Sequence, residues 1–125
     1  MDKTAVLIID DENDICFLLG KLLSKKKYAV SIANTLKDGF SALTEVKPSI
    51  LFLDIRLPDG SGLESLSAIR KQNPKLSIIM MSAHDGPNER KQAGELGADV
   101  FIGKPLNVDQ INKTLEIIQA KAADI

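Results

Sequence analysis

Ile50-Leu51-Phe52-Leu53-Asp54 is a run of four apolar residues closed by an acid. A run so short, and apolar at every position, fits a strand buried on both faces of a parallel sheet. The same pattern recurs on either side of it. Ala5-Val6-Leu7-Ile8-Ile9 runs into Asp10-Asp11, Leu76-Ser77-Ile78-Ile79-Met80-Met81 into Ser82, and Val100-Phe101-Ile102 stops just short of Lys104. Tyr28-Ala29-Val30-Ser31-Ile32-Ala33 alternates more, as an outer strand does.

Helical periods fill the intervals. Ile15, Leu18, Leu19, Leu22 and Leu23 make one apolar stripe. Leu36, Phe40, Leu43 and Val46 make a second, stopped by Pro48, and Leu63, Leu66 and Ile69 a third, stopped before Pro74. A poor fourth helix spans Pro87 to Leu96, weakened by Gly86, Gly94 and Gly97, with Pro87 suited to the first turn. Val108, Ile111, Leu115 and Ile118 line the last, preceded by Asn107 and Gln110 in the manner of a capping box. Strand and helix alternate five times, which predicts an α/β, doubly wound (βα)5 three-layer sandwich with a five-stranded parallel sheet.

The 125 residues suit one domain, expected over 1–125 with no repeat or linker. Hydrophobic residues at 44% and charged residues at 26% mark a globular chain. A net charge of -1 supplies no broad pull toward nucleic acid or an anionic membrane, so neither is an expected partner. Met1-Asp2-Lys3-Thr4 lacks the apolar stretch of a secretion signal, no run is long enough for a membrane span, and Cys16 is the single cysteine. The expectation is a cytoplasmic protein without disulfides. Lys25-Lys26-Lys27 reads as a solvated helix end.

Ligands of open parallel sheets bind beyond the carboxyl ends of the strands. There the pattern gathers Asp10, Asp11, Asp54, Ser82 and Lys104. Clustered carboxylates repel one another, and a divalent cation relieves the repulsion. With only oxygen ligands on offer the ion is hard, Mg²⁺ in a cell. Lysine adds a point charge and serine a donor, a set that suits a dianionic phosphoryl group carried on one carboxylate. Taken singly, each residue has a plainer reading as a helix cap, a turn or a solvated lysine. Together, at successive strand ends, they do not.

In this order and spacing, Asp10-Asp11, Asp54, Ser82, Phe101 and Lys104-Pro105 resemble the receiver domain of two-component response regulators, over essentially the whole chain. Asp54-Ile55-Arg56-Leu57-Pro58-Asp59-Gly60-Ser61-Gly62 is similar to that family's loop after the third strand. The resemblance implies a flavodoxin-like strand order 2-1-3-4-5. It implies that Asp54 takes a phosphoryl group from a phosphohistidine on a sensor histidine kinase or histidine phosphotransfer protein. Asp11 would bind Mg²⁺ directly, Asp10 through water, and Arg56 through its backbone carbonyl. Lys104 and Ser82 would contact phosphoryl oxygens, and the Lys104–Pro105 peptide would be cis. Ser82 and Phe101 would form the switch, with Phe101 turning inward by apolar burial alone, since it lacks the hydroxyl of the tyrosine many relatives carry. The surface of the fourth helix, fifth strand and fifth helix would then control a partner, an output domain or a homodimer. The Arg56–Gly62 and Ser82-Ala83-His84 pieces look similar to receivers of transcriptional activators.

Three other readings compete. A phosphatase of the haloacid-dehalogenase kind needs a second acid two residues past its nucleophile, where this chain has Arg56. A flavin electron carrier needs a hydroxyl- and glycine-rich loop after the first strand, where Asp10-Asp11-Glu12 repels phosphate. A receiver reduced to a scaffold has no use for the complete polar set. His84, the only histidine, reads as a solvated loop residue, Cys16 as packing, and Asp59-Gly60 with Gly62 as a turn into the third helix.

Overall fold

The computed structural model describes residues 3–83 and 86–123. The elements run β1 (Ala5–Ile9), α1 (Asn13–Lys25), β2 (Ala29–Ala33), α2 (Leu36–Val46), β3 (Ile50–Asp54), β4 (Arg56–Leu57), β5 (Gly60–Ser61), α3 (Gly62–Gln72), β6 (Ser77–Ser82), α4 (Pro87–Leu96), β7 (Val100–Gly103) and α5 (Val108–Ala123). The main sheet is parallel throughout, in the order β2-β1-β3-β6-β7. With the two-residue strands β4 and β5 set aside, this is the expected order 2-1-3-4-5. Those two strands pair with each other as a small antiparallel hairpin, too short for any periodicity to reveal.

The period of two along each central strand divides the core. Val6, Ile8, Ile50, Phe52, Ile79 and Met81 pack with Leu19 and Leu23 of α1 and Ile111, Leu115 and Ile118 of α5. Leu7, Ile9, Leu51, Leu53, Ile78 and Met80 pack with Leu36 and Leu43 of α2, Leu66 and Ile69 of α3, and Ala93 of α4. Every residue of β3 is buried, whereas β2 at the sheet edge is mixed, with Ile32 48% exposed. Strands apolar on both faces therefore end up between two helical layers, and each can end in only one direction. The polar ends of β1, β3, β6 and β7 meet at the same edge.

Helix four departs from the expectation. Gly86 is its N-cap and Gly97 its C-cap, so only Gly94 lies inside it. Gly97 has φ +119°, a conformation that glycine adopts without the Cβ penalty, and there it ends the helix rather than weakening it. Pro87 occupies the first turn as expected, and Ala93 is the helix's buried residue. The capping pair before α5 is half formed. The Gln110 amide donates to Asn107 Oδ1 at 2.8 Å, but the buried Gln110 Oε1 has no hydrogen-bond partner.

At the opposite edge Arg70 closes the structure. Its guanidinium donates to the carbonyls of Gly97 (2.8 Å), Leu76 (2.6 Å) and Pro74 (3.1 Å) and pairs with Asp99 at 2.9 Å. Asp99 in turn accepts from the Ile78 amide at 2.8 Å and pairs with Lys121. Burial raises the Asp99 pKa, but Lys121, the Ile78 amide and Arg70 outweigh it and hold it below the usual range. Arg70→Ala is expected to cost about 3 kcal/mol, since it strands partly buried carbonyls and a carboxylate together. Arg70→Lys recovers little of this, because an ammonium cannot reproduce the fork. A lowered urea midpoint at unchanged m-value is the expected result; an unchanged midpoint would show the network to be idle.

Candidate functional site

Asp10 and Asp54 follow the apolar strands that place them, and both are buried. The Asp10 backbone is fixed before its side chain acts. Its carbonyl accepts from Asn34 Nδ2 at 2.9 Å and from the Cys16 thiol at 3.3 Å, and its amide donates to Ala33 O at 3.0 Å. Asp10 Oδ1 accepts from the Glu12 amide at 2.9 Å, turning the chain into α1. Cys16 is thus a packing residue that also anchors the site. Burial, then the charge of Asp10, pushes its thiol up to about 11, so it carries no thiolate at neutral pH.

Lys104 enters from the end of β7. The Lys104–Pro105 peptide is cis, and the Lys104 amide donates to Ser82 O at 2.7 Å. Its ammonium lies 3.0 Å from Asp10 Oδ2, 3.3 Å from Asp54 Oδ2 and 2.6 Å from Glu12 Oε1. Burial pulls the Lys104 pKa down, but its contacts with Glu12 and Asp10 and the charges of Asp10 and Asp54 outweigh it, so the group stays an ammonium. Ser82 is buried at the end of β6, one residue beyond the Met81 that pairs with Asp54. The structure therefore brings Asp10, Asp54, Ser82 and Lys104 to one edge of the sheet.

Glu12 joins this group and was not among the candidates. Oxygens of Asp10, Glu12 and Asp54 lie within 4.8 Å of one another. Asp11 is exposed and stands outside that set. The signal for Glu12 was present in the acid run Asp10-Asp11-Glu12. Which of the three faces inward depends on the turn into α1.

Three carboxylates face one ammonium, so the site keeps an excess of negative charge. Burial first, then repulsion by Asp10, lifts the Asp54 carboxyl to about 6, against the pull of Lys104. Asp10 Oδ2 is fully buried; its contact with Lys104 is an ion pair without hydrogen-bond geometry, and no hydrogen bond reaches this oxygen. A buried carboxylate oxygen without a hydrogen-bond partner, set among further carboxylates, fits a hard divalent cation.

Phe101 is half-buried against the α2–α3–α4 side of the core. The Arg90 guanidinium lies 4.9 Å from its ring centroid, and Arg90 also donates to the Phe101 carbonyl at 3.2 Å. In this conformation a cation–π contact from α4 holds the ring beside its apolar contacts. His84 lies outside the described residues.

A parallel (βα)5 sandwich with a lysine drawn into an acid cluster at its carboxyl edge defines a class of signalling domain. The chain belongs to the response regulator receiver domain family, whose model matches residues 6–116. It is 31% identical over 119 residues to the DNA-binding transcriptional regulator NtrC of Proteus hauseri, covering 95% of this chain and 24% of that protein. A CheY-like receiver domain protein from Methanospirillum hungatei JF-1 superimposes with a TM-score of 0.90 at 27% identity, over 99% of this chain and all of that one. The beryllofluoride-activated NtrC4 receiver domain dimer matches at 0.86 and 25% identity, over 94% of this chain and 98% of that one. The chain spans from 24% to 60% of the length of curated relatives it matches. Among the described residues no helix is long and apolar enough to cross a membrane.

Proposed function

We propose that this domain accepts a phosphoryl group on Asp54 and relays its presence to a transcriptional output. The observation that carries the reading is the buried Asp54 carboxylate with Lys104 at 3.3 Å and an unsatisfied Asp10 oxygen beside it. Family membership supports it. Asp54 attacks phosphorus of a partner's phosphohistidine; an O–P bond forms, the N–P bond breaks, and the electron pair leaves with the imidazole. A carboxylate is already a nucleophile, so no general base is needed. Positioning and charge neutralisation supply the catalysis. Asp54, Asp11 and the Arg56 carbonyl would hold a Mg²⁺ ion, with Asp10 through water, and the ion would supply positive charge to the phosphoryl oxygens. Lys104 and Ser82 take the remaining oxygens, which requires Lys104 to loosen its hold on Glu12.

The signal leaves through Ser82 and Phe101 toward the face of α4, β7 and α5. That face includes β7, the edge strand of the main sheet. It is the surface offered to an output domain, to a partner protein or to a second copy, and the activated dimer among the similar structures supports the last.

The test is incubation with acetyl phosphate. A gain of one phosphoryl mass with Mg²⁺, and none with EDTA, is expected by intact-mass spectrometry. Sedimentation of the beryllofluoride-loaded chain reads the dimer. Failure of the Mg²⁺-loaded chain to take up phosphate would sink the reading.

A further inference from the structure

Asp59 does more than turn the chain. Its two carboxylate oxygens accept from the backbone amides of Leu36 at 2.8 Å and Lys37 at 3.0 Å, at the start of α2. Those amides draw its carboxyl below the usual range. The helix has a cap of its own, since Thr35 Oγ1 accepts from the Asp38 amide at 3.1 Å. The first three free amides of α2 are therefore all taken, two of them by a side chain more than twenty residues further along the chain. Thr35 alone is ordinary N-cap chemistry. A second, bidentate cap from a distant loop fastens that loop to the helix.

The loop in question leads away from Asp54. β4 pairs Arg56 with Ser61 and Leu57 with Gly60, and Asp59 stands in the turn between them. A Cβ on Gly60 would come within 3.0 Å of Leu36 Cδ1, so the turn lies against the first residue of α2. The segment before α2 also reaches the other side of the site, where Asn34 Nδ2 holds the Asp10 carbonyl at 2.9 Å. Residues Asn34 to Lys37 thus grip the strand end that carries Asp10 and the hairpin that carries Arg56.

We propose that Asp59 is a positioning residue: by bridging to the α2 amides it sets where the Arg56 carbonyl stands relative to Asp10 and Asp54, and so sets the affinity for the divalent cation. The inference rests on the metal reading above. It assigns Asp59 no contact with metal or phosphate. Groups that orient a ligand without touching the metal commonly change affinity when lost, and this one acts through six residues of hairpin.

The experiment is a Mg²⁺ titration of the 125-residue chain followed by amide chemical shifts, which needs no phosphoryl donor. Asp59→Ala is expected to weaken Mg²⁺ about tenfold. Asp59→Asn is expected to recover part of the loss, because one carboxamide oxygen still accepts. Thr35→Ala removes a cap from the same helix without touching the hairpin. It is expected to lower the melting temperature and leave the Mg²⁺ affinity at the parent's value. Equal weakening by Thr35→Ala and Asp59→Ala would reduce Asp59 to a stabiliser of α2 and overturn the proposal, as would an Asp59→Ala chain that binds Mg²⁺ like the parent. A parent that binds no Mg²⁺ would instead overturn the metal reading and this inference with it.

Discussion

Asp54→Asn is expected to take up no phosphoryl group from acetyl phosphate and, at neutral pH without Mg²⁺, to melt at a higher temperature than the parent. The first half follows from chemistry, since a carboxamide has no anionic oxygen to attack phosphorus. The second follows from the environment of the carboxylate. Asp54 is buried beside Asp10, and its carboxyl is lifted from 3.8 to about 6. The folded state then binds more protons than the unfolded state between about pH 4 and pH 6. Stability falls as pH rises through that window, and the full penalty applies above it. A shift of that size is worth about 3 kcal/mol at most. That figure is already net of the pull of Lys104, and water reaching the edge of the sheet reduces it, so a gain of about 2 kcal/mol is the expectation. In a chain of this size that is roughly 5–10 °C in Tm. Below about pH 3 the two proteins should melt alike, because the parent's carboxyl is then neutral in both states. Adding Mg²⁺ should stabilise the parent and much less the variant, since only a ligand of the folded state shifts its melting. Undiminished labelling of Asp54→Asn would remove Asp54 from the centre of the reaction. A variant that melts no higher at pH 7 would show that Asp54 carries no burial penalty to relieve.

What the sequence could and could not disclose follows from distance along the chain. Asp10, Asp54, Ser82 and Lys104 were legible because each closes or follows an apolar run, and a run buried on both faces has few other homes than the middle of a parallel sheet. The alternation of β2 fits its place at the sheet edge, whereas the full strand order is what the resemblance to receiver domains implies. Glu12 was not legible, because its contact with Lys104 spans 92 residues and depends on how α1 begins. The cap from Asp59 to α2 and the stacking of Arg90 on Phe101 are equally non-local in origin. Helix four is different, because its local signals were available. A proline suited to the first turn places Gly86 before the helix, and a glycine after the last periodic residue marks a C-cap, so Gly86 and Gly97 bound the helix rather than weaken it.

Gly62→Ala, a change of one methyl group, is expected to damage fold and site together. Gly62 is the first residue of α3, after the Ser61 N-cap, and its amide donates to the Ile55 carbonyl at 2.6 Å. A Cβ built there would lie 2.0 Å from the Asp54 backbone oxygen and 3.2 Å from Leu53 Cγ. The first contact is with backbone, so no rotamer change relieves it. Either α3 moves away from β3, opening the contact of Leu66 and Ile69 with the sheet, or the Asp54 peptide turns and carries the side chain with it. Overpacking of this kind costs about 3 kcal/mol. The second route also misplaces the nucleophile, where a shift on the order of 1 Å costs about a hundredfold in rate. Urea denaturation should show the lost stability, and the rate of mass gain from acetyl phosphate should fall by about that factor in the fraction still folded. Ser61→Ala, one residue earlier, is the control. It removes a cap whose hydroxyl accepts from the Glu64 amide at 3.2 Å, so about 1 kcal/mol of stability should go while the rate stays near the parent's. If Gly62→Ala behaved like Ser61→Ala, the tight seat of Asp54 against the start of α3 would not be what holds the nucleophile in place.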